Sequence, residues 1–132
     1  MRLNQYAVYQ LKADTSVRHL RYKSYQYLLE NQMRVDAENY QQVYITTMPQ
    51  EKKPEEIRRQ LEKKLPVRFT GNALNISDVI AITREGVSTA YYVDKDSMVV
   101  IPGFFRNYSS AALITMDTEG CREKVRAPLF SF

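Results

Sequence analysis

The stretch "NISDVIAITREGVSTAYYVD", residues 75–94, constrains the fold more than any other part of the chain. Two apolar, β-branched and aromatic runs flank Glu85-Gly86. Such runs on either side of a two-residue turn read as a β-hairpin, with Gly86 supplying positive φ at low cost. Centring the turn on Glu85-Gly86 sets Ile82 against Thr89 and Ile80 against Tyr91. One face then carries Ile80, Ile82, Val87, Thr89, Tyr91 and Val93, which is bulky and suits packing against helices. The other carries Val79, Ala81, Thr83, Ser88, Ala90 and Tyr92, a smaller set expected to be only partly covered. "DKDS" turns the chain into "MVVIP", a third strand.

Upstream, "YAVYQLK" (residues 6–12) reads as a strand and "DTSV" as a turn. "RHLRY" (18–22) alternates His19 and Arg21 with Leu20 and Tyr22, which predicts a second strand. The period then changes. Ser24 is a good N-cap, and Tyr25, Leu28 and Leu29 share one side of a short amphipathic helix. Asp36 offers a second cap for a single turn, and "QQVYITTM" (41–48) is strand-like up to Pro49. "KPEEIRRQLEKKLP" is the clearest helix. Pro54 suits its first position, Glu55 and Glu56 its N-terminus, and Lys63 and Lys64 its C-terminus. Ile57 and Leu61 form a narrow apolar stripe, and Pro66 stops the helix near Leu65.

The predicted fold class is α+β: one small domain, mainly an antiparallel sheet (meander 78–101 plus the N-terminal strands), packed with two or three short helices. A chain of 132 residues, 44% hydrophobic and 26% charged, suits one core. Beyond residue 105, Thr118-Glu119-Gly120 suggests a turn between short strands, with a helix up to Met116 as the alternative. The apolar tail, with Leu129, Phe130 and Phe132, is expected to dock on the domain or on a partner.

Chemistry is sparse. One His and one Cys, His19 and Cys121, fall short of the ligand set of a zinc site and allow no internal disulfide. Cys121 follows Gly120 without an oxyanion-hole motif, so a plain thiol is the simpler reading than a Cys–His nucleophile pair. Asp94 and Asp96 sit in a turn, where Asp serves the backbone, and "DKD" lacks the ligands and glycine of a calcium loop. No phosphate-binding loop, dinucleotide fingerprint or nucleophile elbow is present. The expectation is a non-enzymatic protein with no cofactor and no metal. The N-terminus has no signal-peptide pattern and no apolar run approaches the ~20 residues of a membrane span, which suits a reducing cytoplasm without membrane contact.

One cluster stands out. Lys52, Lys53, Arg58, Arg59, Lys63, Lys64 and Arg68 crowd around the clearest helix, interrupted by Glu51, Glu55, Glu56 and Glu62. Glu55 and Arg59 have the spacing of a favourable helical pair. The plain reading is a solvated helix face. The functional reading is an electrostatic docking face for an acidic protein surface or for nucleic acid. No aromatics interleave with the bases, against a single-strand platform, and a net charge of +4 is mild for a dedicated nucleic-acid binder. Ten Tyr and no Trp complete the picture, with Tyr6, Tyr9, Tyr44, Tyr91 and Tyr92 in predicted strands and Tyr22, Tyr25, Tyr27, Tyr40 and Tyr108 nearer element ends, as interface candidates.

"YAVYQLK", "RHLRYKSYQYL", "VDAENYQQVYITTM" and above all "FTGNALNISDVIAI…G…TAYYVD…PGF" together resemble the YodL-like domain, over about residues 6–105 with 106–132 as a C-terminal extension. The resemblance implies a place in proteins of bacterial mobile elements (Firmicutes-type integrative elements, plasmids and phages), whose neighbourhoods are rich in antirestriction and anti-CRISPR genes. It supplies no catalytic residues for Asp78, Gly86, Tyr92 or Asp94, which read as corner, turn and sheet positions. What it implies is a counter-defence protein that binds a host defence protein stoichiometrically, a CRISPR effector nuclease complex first among targets, with nucleic acid as a secondary contact. The alternative is a nucleic-acid-binding accessory or regulatory factor of the element. The basic charge argues against simple DNA mimicry.

Overall fold

The computed structural model describes residues 4–105. The chain divides into two compact units, Met1–Pro102 and Gly103–Phe132. In the second, the rings of Phe104 and Phe105 meet edge-on with centroids 5.1 Å apart. The turn at Thr118-Glu119-Gly120, the apolar tail, Tyr108 and Cys121 lie outside the described residues.

The first unit is built on a five-stranded sheet in the order β2-β1-β3-β4-β5. The strands are β1 (Gln5–Leu11), β2 (Tyr40–Thr47), β3 (Val79–Arg84), β4 (Val87–Val93) and β5 (Met98–Val100). Every neighbouring pair is antiparallel. The β3–β4 register has the predicted pairs Ile82 with Thr89 and Ile80 with Tyr91. Glu85 and Gly86 take φ of 52° and 82°, the two positive values of a type I′ turn, whose twist matches that of the strands it joins. The N-terminal strand β1 lies in the middle, hydrogen-bonded to β2 on one edge and β3 on the other. A bulge between Val8 and Tyr9 leaves Val43 as the extra residue of β2.

Helix α2 (Pro54–Lys63) lies on the connection from β2 to β3. Its stripe of Ile57 and Leu61 is buried against Val8, Ile80, Ile82 and Val93, so α2 covers the bulky face as expected. The helix opens at Pro54, and Glu56 Oε1 accepts the Lys53 N–H at 2.8 Å. It ends at Lys63, two residues before Leu65. Among the described residues, no helix is long and apolar enough to cross a membrane.

Helix α1 (Tyr25–Glu30) starts at Ser24, whose Oγ accepts the Tyr27 N–H at 3.1 Å. Of its apolar residues Leu28 is buried and Leu29 exposed. Asp36 caps a single turn of 3-10 helix at Ala37–Asn39, accepting the Glu38 N–H.

Two expectations are corrected. The segment 18–22 forms no strand: Arg18–Leu20 is one turn of 3-10 helix and Tyr22 has φ of 68°. The Asp14 carbonyl accepts the N–H groups of both Val17 and Arg18, and Asp14 Oδ1 accepts that of Ser16, so the turn continues into a helical coil. The second correction concerns the smaller face of the hairpin. Val79, Ala81, Ala90 and Tyr92 are all buried, and only its Thr83–Ser88 end reaches solvent. The chain before β2 meets this face, with the Tyr25 and Tyr92 rings 5.5 Å apart and the Tyr92 hydroxyl donating to the Lys23 carbonyl at 2.7 Å.

Candidate functional site

The seven cations of the predicted basic cluster are engaged differently. Arg58 is consumed by the fold: its guanidinium donates to the carbonyls of Ser97 at 3.0 Å and Lys95 at 3.2 Å, and pairs with Glu62 at 3.1 Å. It thereby ties α2 to the β4–β5 turn. Lys52 donates to Gln60 Oε1 at 2.9 Å. Lys53 is the N-cap residue of α2, its backbone held by Glu56. The ion pair on the helix is Arg58–Glu62; Glu55 and Arg59, expected to pair, make none among the described residues.

The remaining four cations run from the middle of α2 into the loop that follows it. Arg59, Lys63, Lys64 and Arg68 are all exposed, and none has an ion-pair partner among the described residues. Arg59 and Lys63 stand one helical turn apart, roughly opposite the buried Ile57–Leu61 stripe at ~100° per residue. Lys64 is the C-cap, and Arg68 follows Pro66 in the loop that leads back toward the sheet. Val67 between them is fully exposed. The acids Glu55 and Glu56 occupy the N-terminal turn, as the helix dipole favours; Glu55 lies one turn before Arg59, and Glu62, beside Lys63, is paired with Arg58. His19 is exposed, in keeping with a surface histidine.

A second site was missed in sequence. At the far end of the bulky face, Gln10 and Asp78 meet in a buried polar knot. Gln10 Nε2 donates to Asp78 Oδ2 at 3.0 Å and to the Asn72 carbonyl at 2.9 Å. Gln10 Oε1 accepts the Asn72 N–H at 2.9 Å, and Asp78 Oδ2 also accepts the Asn75 N–H at 2.9 Å. Gly71 belongs to the same packing, because a Cβ there would collide with the Gln10 amide and Val43. Next to it, Ser77 sits at φ 87° and is pinned on three sides. Its N–H donates to the Val93 carbonyl, its Oγ accepts the Tyr22 N–H, and its carbonyl accepts the Tyr40 hydroxyl at 2.7 Å.

Burial pushes the Asp78 carboxyl up to about 6, although the Asn75 N–H, the Gln10 amide and the Arg21 guanidinium pull the other way. The same desolvation raises the phenols of Tyr40 and Tyr92 well above the ordinary tyrosine range, and both face the Asp78 charge. Gln10, Asn75, Asp78, Arg21 and Tyr22 line a hollow with about 10 Å³ of room, enough for one water. The knot therefore fastens the 71–78 loop to β1. Asp78 Oδ2 is already occupied by two donors, the Gln10 amide and the Asn75 N–H. One signal was available: Gln10 interrupts the apolar face of β1 exactly where Tyr6 and Val8 predict another core residue. A polar group at such a position must find buried partners.

Fold and site together define a small α+β domain: an antiparallel sheet with a central N-terminal strand, one covering helix and a polar knot that locks its longest loop. A family model for the YodL-like domain matches residues 5–104, and the chain belongs to that family. No curated protein and no solved structure matches the chain.

Proposed function

We propose that this protein is a binding module of a bacterial mobile element that acts without chemistry of its own. It docks stoichiometrically on a host defence protein, a CRISPR effector nuclease or a related enzyme, and inhibits it. The observation that carries the docking is the split among the cations. Arg58 serves the fold, whereas Arg59, Lys63, Lys64 and Arg68 stand exposed together with no ion-pair partner among the described residues. Such a basic end attracts an acidic surface and speeds association with it. The counter-defence part is supported by the mobile-element setting that the family resemblance implies; fold alone does not specify a target.

The same four cations favour a second reading, contacts to phosphates as a nucleic-acid-binding accessory factor of the element. Salt separates the two, since phosphate binding weakens steeply and uniformly as counterions are released. The test is target cleavage by a panel of effector–guide complexes against the molar ratio of added protein. Inhibition saturating at one equivalent, and weakened by Arg59→Glu with Lys63→Glu, is the expected result. Absence of inhibition across the panel, with salt-sensitive binding to plain duplex, would establish the second reading instead.

A further inference from the structure

We propose that the outer edge of β2 is a pairing edge for a second copy of this chain, joined antiparallel about Thr46. The strand is the border of the sheet, with β1 on its inner side. The Met48 N–H donates to the Asn4 carbonyl, so in the alternating antiparallel pattern Met48, Thr46 and Tyr44 turn their backbone groups toward β1. Ile45 and Thr47 turn theirs outward. Val43, the bulged residue, also points outward, and its carbonyl accepts both the N–H and the hydroxyl of Thr70, each at 3.0 Å. No hydrogen bond fills the outward groups of Ile45 and Thr47 among the described residues.

Natural edges of this kind are blunted by charge, proline or a covering segment. Among the described residues this one has none over its open length. Residues 40–48, "YQQVYITTM", hold no charged side chain in a chain that is 26% charged. Ile45 is 44% exposed. The open edge is also self-complementary. With two copies antiparallel about Thr46, Ile45 of each faces Thr47 of the other, and both pairs are of the narrow type that exchanges two hydrogen bonds. The two Thr46 side chains then meet across the axis, a favourable cross-strand pair. The next outward position sets Pro49 of one copy opposite Val43 of the other. Proline has no N–H to offer, and that carbonyl is already held by Thr70. Both ends of the ladder thus close at the same register. Because β2 carries no charge, no like-charge repulsion opposes the match, as it would between two copies of the basic helix end. A short ladder buries little area, so the dimer is weak and concentration-dependent.

This inference is independent of the docking reading. It is tested by sedimentation of the full chain over a concentration series, with amide exchange followed at the same concentrations. The expected result is a shift from monomer to twice the monomer mass, with the Ile45 and Thr47 amides gaining protection as the dimer fills. Ile45→Lys charges the edge, and Thr47→Pro removes an outward N–H while leaving the β1–β2 ladder intact. Each should abolish the dimer with the folded monomer retained, checked by thermal melting. A chain monomeric at every concentration, or a dimer that survives both substitutions with the two amides still exchanging fast, would overturn the proposal.

Discussion

The two faces of the sheet are buried by different means. The face under α2 is centred on branched aliphatic chains, Val8, Ile80, Ile82 and Val93 from the sheet and Ile57 and Leu61 from the helix, with Tyr6, Tyr44, Phe69 and Tyr91 packed around them. The opposite face combines small residues, Ala7, Ala81 and Ala90, in register across three strands, with tyrosines at its end. Tyr92 and Tyr40 are buried there, and each spends its hydroxyl on a backbone carbonyl, Lys23 and Ser77 respectively. The aliphatic face needs a regular helix as its lid, because such chains satisfy no polar group. The tyrosine face accepts irregular chain, because a phenol hydroxyl can satisfy carbonyls that no helix or sheet has paired. The ten tyrosines of a chain without Trp find part of their reason here.

The sharpest way to break the contrast is a charge on the aliphatic face. Ile80→Asp places an unpaired carboxylate at a fully buried position and is expected to cost more than ~4 kcal/mol, unfolding the domain at room temperature. Circular dichroism and urea titration read this out, and a cooperative native transition in the variant would show that face one is not the main core.

A smaller effect is expected at the polar knot at the end of the face under α2. The Asp78 pKa is raised from 3.8 to about 6, so the folded state keeps its proton over a window in which the unfolded chain has lost it. The group's stabilising contribution is complete below the unfolded value and is lost as pH rises from about 4 through about 6. Asp78→Asn, which can still accept from Gln10 and Asn75, should remove this pH dependence and raise stability near neutrality by roughly 3 kcal/mol at most. Urea denaturation at mildly acidic and neutral pH compares the two proteins. Identical pH profiles would mean that Asp78 is not the titrating group.

The smallest effect tests the tyrosine face. Tyr92→Phe keeps the ring against Tyr25 but leaves the Lys23 carbonyl without its donor. A loss of about 1 kcal/mol is expected, with faster amide exchange confined to the chain before α1. A loss spread evenly over the sheet would instead place Tyr92 in the shared core.

Much of the fold was legible. The hairpin register followed from a two-residue turn and the period-two alternation around it, both local properties. Helix α2 announced itself through Pro54, its acid and base ends, and the Ile57–Leu61 stripe. The caps at Ser24 and Asp36 were equally local. The segment 18–22 misled because alternation measures only which side chains agree on a face; it does not register the Asp14 turn that carries the chain into a 3-10 coil. The basic cluster was visible as composition, but its division was not. Arg58 and Arg59 are adjacent and chemically identical, and only the approach of the Lys95 and Ser97 carbonyls separates them.

By itself, then, the sequence determined the hairpin, the helix with its apolar stripe and charged ends, and the α+β class, because turns, caps and periodicity act between residues close in the chain. Tertiary structure alone decided that β1 is central, that Gln10 meets Asp78 across 68 positions, and which cations remain free. Those outcomes depend on which distant edges and carbonyls come together, and burial, which turns such a meeting into a shifted proton or a fixed arginine, exists only once the chain has closed.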